Sequence, residues 1–207
     1  MTPPLSSTNR KPESPAETTR APKAAERILD AASDLFYREG IRAVGVDTIV
    51  ETAGVTKPSL YRNFPSKDEL AAAYLRDYET GFWRRFESAL AAHPGDPAAQ
   101  IVGYFEGVAR RQAETEYRGC ALTNAAVEFP ERASPARAVS LANKQALRSR
   151  LEAMATDMGA RDPIELADGL LMLFEGANAA GQIFGEETPA RSLARVAERL
   201  IAASRAR

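Results

Sequence analysis

Cysteine is nearly absent from this chain of 207 residues. Cys120 stands alone, so no internal disulfide can staple the fold, and the expected compartment is the reducing cytoplasm. The single histidine, His93, lies in a Pro/Gly loop with no cysteine or second histidine beside it, so no metal site and no other cofactor is expected. An excess of charge of one sign is also missing. There are 27 Lys and Arg against 28 Asp and Glu, which leaves a formal charge of −1. Bulk electrostatics therefore do not mark a nucleic-acid binder, and a DNA site would have to come from local placement of cations. No apolar run approaches the roughly 20 residues that span a bilayer. The N-terminus lacks the apolar core of a secretion signal, and no membrane partner is expected. Period-2 alternation, Asn-Gly hairpin signals and internal repeats are lacking, which points to an all-α fold.

Helical signals are plentiful. Residues 1–21 hold Pro3, Pro4, Pro12 and Pro15 among Ser and Thr, and are expected to form a disordered N-terminal arm. From Lys23 the apolar positions Ile28, Ala32, Leu35 and Phe36 recur at helical spacing up to Gly40. Val46, Ile49, Val50 and Ala53 space as a short second helix stopped by Gly54. Thr56 can then cap a third, Lys57 to about Phe64, with Pro58 tolerated in its first turn. Ser66 with Glu69 three residues on is a capping box opening a long fourth helix towards His93-Pro94-Gly95. Four later helices share one start signal, a polar cap followed by proline: Asp96-Pro97, Ser134-Pro135, Asp162-Pro163 and Thr188-Pro189. A short helix around Leu122 to Phe129 makes about nine. The expected organisation is a three-helix head over 22–68, with its two short helices at about 45–64, and a helical body over 69–207.

The head carries the functional signal. Two short helices joined by Ala53-Gly54-Val55-Thr56 meet the helix-turn-helix requirement, a small residue and a glycine at the reversal with apolar residues locking the angle. Leu60 and Phe64 point inward, which leaves Lys57, Ser59, Arg62, Asn63 and the following Lys67 as an outer set of donors. Between Glu51 and Asp68 lie three cations, Lys57, Arg62 and Lys67, and no acid, a local positive field that the net charge conceals.

The stretch from Arg27 to Leu70 resembles the DNA-binding domain of the TetR family. The resemblance rests on Arg27-Ile28-Leu29-Asp30-Ala31-Ala32, Leu35-Phe36, Gly40-Ile41 and the run from Ala53 to Leu70, including Leu60-Tyr61-Arg62-Asn63-Phe64 and Ser66-Lys67-Asp68-Glu69-Leu70. It implies a three-helix DNA-reading head joined by the fourth helix to an effector-binding and dimerisation body. Thr56 would cap the recognition helix, and Lys57, Pro58, Ser59, Tyr61 and Arg62 match the positions that face the major groove. Asn63 and Lys67 match positions that grip phosphates. Asn63 stands where the family often has histidine or tyrosine, and Val46-Asp47 replaces a frequent Thr or Ser at the start of the second helix. The implied partners are palindromic double-stranded operator DNA, a second copy of the chain, and a small, mostly apolar effector that releases a repressor from its operator. A segment in the body, Arg118-Gly119-Cys120 to Asn124, echoes one branch of the family without naming a ligand.

Within the body, Trp83, Phe86, Tyr104, Phe105 and Phe174 either line an effector cavity or form plain core, since aromatic stripes serve both. Asn124 and Asn178 lie on apolar helix faces, where an amide requires a partner, either a ligand or a neighbouring carbonyl. Small residues Gly169, Gly176, Ala177 and Ala180 allow close approach of a second copy, and Leu193, Val196, Ala197 and Leu200 add an apolar stripe, so the last two long helices are the expected dimer interface. Cys120 is read as a small hydrophobe rather than an oxidant sensor. No nucleophile, base and orienting group converge, so an enzyme on a helical bundle has no positive support beside the regulator.

Overall fold

The computed structural model describes residues 23–114 and 116–205; the expected arm at 1–21 lies outside them. Among the described residues there are nine α-helices and no strand: α1 (Ala24–Glu39), α2 (Val46–Ala53), α3 (Lys57–Asn63), α4 (Lys67–Ala91), α5 (Pro97–Arg111), α6 (Ala121–Glu128), α7 (Pro135–Asp157), α8 (Pro163–Phe184) and α9 (Leu193–Arg205).

Most helices begin where a side chain accepts a free first-turn amide. Ser66 Oγ takes the Glu69 N–H at 3.1 Å, Asp96 Oδ1 that of Ala99 at 3.0 Å, and Asp162 Oδ1 that of Glu165 at 2.9 Å. Such caps contribute on the order of 1 kcal/mol each, and the prolines after Asp96, Ser134 and Asp162 lose nothing because first-turn amides have no helical acceptor. One start signal opens a shorter element than expected. Thr188-Pro189 opens only a 3-10 turn (Pro189–Ser192), and α9 begins at Leu193. Thr188 Oγ1 accepts from Ala190 N and so caps this turn, and it also donates to Gln112 Oε1 at the end of α5. α2 follows Gly45 without a side-chain cap, and α6 starts at Ala121.

Three helices close the head around Ile28, Ala32, Ile49 and Leu60, all fully buried. α4 joins them through Leu70, Ala71 and Tyr74, the last packed edge-on against Phe36 at 5.7 Å between ring centroids. With 25 residues, α4 spans roughly 37 Å at 1.5 Å per residue. The same helix therefore carries Phe82 and Phe86 into the core of the body, against Tyr104 of α5 and Phe174 of α8. α7 packs along α4 and α8, and α9 lies against α5 and α8. Arg161, between α7 and α8, fixes the end of α9 by donating to the carbonyls of Ala203 and Ser204 in its last turn. No helix among the described residues is long and apolar enough to cross a membrane.

Candidate nucleic-acid interface

A left-handed residue makes the turn between α2 and α3. Gly54 sits at φ 59°, ψ 43°, and its N–H closes on the Glu51 carbonyl at 3.1 Å. A Cβ there would meet only the Arg27 guanidinium, at 3.9 Å, so the backbone angle and not crowding calls for glycine. Thr56 then caps α3, and Leu60 is buried completely. With Leu60 fixed inward, α3 turns Lys57, Pro58, Tyr61, Arg62 and Asn63 to solvent, while Ser59 is half-buried. Tyr61 is 44% exposed, a large ring with little cover on an otherwise polar face.

The cations of this face are not equivalent. Lys57 Nζ lies 2.8 Å from Asp47 Oδ1, and that hydrogen bond and charge raise the lysine's pKa. The acid-free window between Glu51 and Asp68 therefore does not describe the surface, because α2 brings Asp47 across the turn. Both groups are exposed, so the pair is screened and open to competition from a phosphate. Lys67 is half-buried and donates to the Arg42 carbonyl at 3.3 Å; loss of hydration is the main reason its pKa is lowered. Asn63 turns its amide back onto the Ser59 carbonyl of its own helix at 2.7 Å. Arg62 is exposed and forms no ion pair or hydrogen bond among the described residues, which leaves its planar donor fork free for a base edge or phosphate.

The head is tied to the body at both ends of α6, a link that sequence periodicity did not reveal. Before its start, Tyr37 of α1 donates its hydroxyl to the Gly119 carbonyl at 3.2 Å and accepts the Arg118 N–H at 3.1 Å. Burial raises the Tyr37 pKa, and the Arg118 N–H opposes this. At the other end, Glu128 Oε2 accepts the Arg42 N–H at 2.8 Å, and the Arg42 guanidinium lies 5.7 Å from the Phe129 ring centre. α4 is therefore not the sole mechanical path between head and body.

In the body, Phe86, Tyr104 and Phe174 pack with Phe82 in one aromatic cluster, Trp83 stands 5.6 Å from Phe86, and Phe105 is fully buried beside Tyr104. Tyr104 also borders a cleft of about 820 Å³ between α4 and α5, and its buried hydroxyl has no hydrogen-bond partner among the described residues. Both singled-out amides find partners within the chain. Asn178 accepts from Tyr117 at 2.7 Å and donates to the Phe174 carbonyl at 2.8 Å; Asn124 donates to the Arg118 carbonyl at 2.6 Å. Cys120 is buried, and Lys144 Nζ, 24 residues further on, lies 3.4 Å from its sulfur.

On the far side of α8, an apolar groove runs between α8 and α9. Gly169, Gly176, Ala177, Ala180, Leu193 and Val196 line it, whereas Ala197 is fully buried within the chain and Leu200 packs over Gly169. Met172, Ile183 and Phe184 are exposed on the same helix at 68%, 74% and 55%, and were not singled out from sequence.

Comparison with known proteins agrees with this geometry. Residues 28–74 match the model for bacterial regulatory proteins of the tetR family. A TetR-family transcriptional regulator from Streptomyces coelicolor is 31% identical, with 87% of this chain and 95% of that one covered at a TM-score of 0.82. A TetR-type regulator from Streptomyces avermitilis is 32% identical, with 88% and 98% covered and a TM-score of 0.80. Among curated proteins, the transcriptional activator FasR of Mycolicibacterium smegmatis is 46% identical over 59 residues, 28% of this chain and 27% of its own length. The repressor ComR of Escherichia coli is 31% identical over 90 residues, 42% of this chain and 43% of its own. The chain thus spans between about a quarter and under half of the curated relatives it matches. Likeness along nearly the whole length of the two streptomycete structures, with the head matched at the level of family sequence, establishes that this chain belongs to the TetR family of transcriptional regulators.

Proposed function

We propose that the protein is a cytoplasmic, non-enzymatic repressor that binds a palindromic operator as a homodimer and leaves it when a small, mostly apolar effector binds the body. The observation that carries this reading is the outward face of α3, where Arg62 is free and Tyr61 exposed beside Lys57, on a helix pinned by the fully buried Leu60. In this reading Arg62, Ser59, Lys57 and Pro58 meet the major groove, Tyr61 lays its ring on the sugar-phosphate edge, and Asn63 and Lys67 take phosphates. Thr56 holds the helix start.

The α8–α9 groove supplies the contact between copies. A two-fold axis would set each groove against its own copy, which puts Met172, Gly176 and Val196 against a second chain and makes a four-helix contact. The effector acts on the aromatic cluster of Trp83, Phe86, Tyr104, Phe105 and Phe174 and on the helices bearing Asn124 and Asn178. Its preference for one tilt of α4 or one position of α6 changes the separation of the two recognition helices.

Selection of binding sites from random DNA, followed by gel shift, tests the reading. Enrichment of a palindrome, with affinity falling steeply as salt rises, is the expected result. Equal binding to selected and random sequences would overturn it.

A further inference from the structure

A cavity of about 720 Å³ opens between α6, α7 and α8, in the size range of small-molecule sites. Leu122, Ala126, Leu141 and Leu171 give it an apolar wall. Its charged groups are unequal in availability. Glu175 is neutralised where it stands: Lys144 Nζ lies 2.8 Å from Oε1, and Thr123 donates its hydroxyl to Oε2 at 2.7 Å. Among the described residues no second acid lines the cavity, whereas Arg132 and Arg137 both do. Arg132 is exposed and makes no ion pair among the described residues. Arg137 donates through Nη1 to the carbonyls of Ala126 and Phe129, at 2.7 and 3.1 Å, and so caps the C-terminal end of α6.

We propose that this cavity binds an amphipathic organic acid, its chain along the leucines and its carboxylate on Arg132 and Arg137, and that this acid is the effector. The inference rests on the repressor reading and adds the site, the ligand class and the route. A carboxylate offers two oxygens in the plane of a guanidinium, a bidentate match that a hydroxyl or an amine does not give. The carboxylate competes with the two α6 carbonyls for Arg137. Those carbonyls belong to the helix end that holds Arg42 through Glu128 and Phe129, and the other end of α6 meets Tyr37. Occupancy of the cavity thus acts on both contacts between α6 and the head. Lys144, which stands over the Phe174 ring at 4.6 Å, connects the same cavity to the aromatic cluster.

The test uses the full chain and three ten-carbon probes below their micellar concentrations: decanoate, decan-1-ol and decylamine. Calorimetry without DNA should show decanoate bound about tenfold more tightly than the other two, the size of one charge-assisted contact. Arg132→Ala and Leu141→Glu change exposed positions, so they should leave the melting temperature unchanged and weaken decanoate about tenfold. Equal binding of all three probes, no binding of decanoate, or binding indifferent to both substitutions would overturn the site. A changed oligomeric state in Leu141→Glu would identify the face as a contact between copies and also overturn it. Gel shifts on the selected operator separate the two levels. If operator binding is selective but decanoate does not release it, the proposed acid effector fails and the repressor reading stands; if no sequence is preferred, both fail.

Discussion

Arg62 and Lys67 carry the same charge in different surroundings, and their surroundings predict different consequences on DNA. Arg62 is exposed and uncommitted, with a flat donor fork suited to a base edge, so Arg62→Ala should cost about 1–3 kcal/mol on the operator and much less on random DNA. Lys67 is half-buried, bonded to the Arg42 carbonyl, and proposed to take a phosphate. Lys67→Ala should weaken all sequences alike and flatten the slope of log K against log salt by about 1 for each copy in the dimer. Gel shifts across a salt series distinguish these outcomes, and equal loss on both DNAs for Arg62→Ala would assign it to the backbone. Asp47 supplies a third case. It accepts from Lys57 in the free protein and places a negative charge beside the DNA face, so Asp47→Asn should tighten binding to every sequence and steepen the salt slope. Unchanged affinity in that variant would show that Asp47 does not compete with DNA for Lys57. This ion pair joins two helices across ten residues with no periodic signal, which is why a count of acids along the α3 window overlooked it.

At the scale of elements, the α2–α3 turn depends on one backbone conformation. Gly54→Ala places a Cβ at φ 59° with open space around it, so the cost is conformational, about 1–2 kcal/mol. Gly54→Asn should cost less, because asparagine tolerates the left-handed region. Urea melts at fixed protein concentration check the order; Ala and Asn equal to glycine would mean that the turn relaxes. Elements of this kind were legible in sequence because their cause is local. Gly54, Ser66, Asp96 and Asp162 each act on backbone within three or four residues. Thr188 caps its own turn as well, but that turn is 3-10, and its hydroxyl also meets Gln112, 76 residues away. The outward face of α3 was legible too, because Leu60 inward fixes the rest by helical period. The role of α6 was not. It is eight residues long, its mean pattern is weak, and its importance lies in what each end touches, with Tyr37 and Arg42 more than 80 residues away in sequence. Nor could sequence say that Asn124 and Asn178 are already satisfied, since the Arg118 carbonyl that accepts from Asn124 and the Tyr117 hydroxyl that donates to Asn178 are placed by how α6 and α8 meet the 117–119 segment.

For the whole molecule, the separation of two recognition helices matters more than either helix alone. A two-fold operator presents half-sites about 34–36 Å apart, and one seven-residue helix with a single free arginine makes too few contacts to hold a site by itself. The α8–α9 groove sets that separation if it is the contact between copies. Of its residues, Ala177 is a poor place to test this, because it is 7% exposed within one chain and a larger side chain would disturb the fold before it disturbed a dimer. Val196 and Met172 are 40% and 68% exposed, so Val196→Arg and Met172→Glu spare the chain's own packing while placing charge in an apolar contact. Each should produce folded monomers by light scattering, with helical content retained by circular dichroism. The monomer should then bind a single half-site about as well as the parent chain does, yet lose the gain in affinity that the parent shows on a full palindrome, because linking two heads makes the second contact intramolecular. A variant that stays dimeric with both charges present would move the contact off α8 and α9. A monomer that keeps full affinity for the palindrome would mean that each head binds alone, and the spacing of recognition helices would then carry no part of the switch.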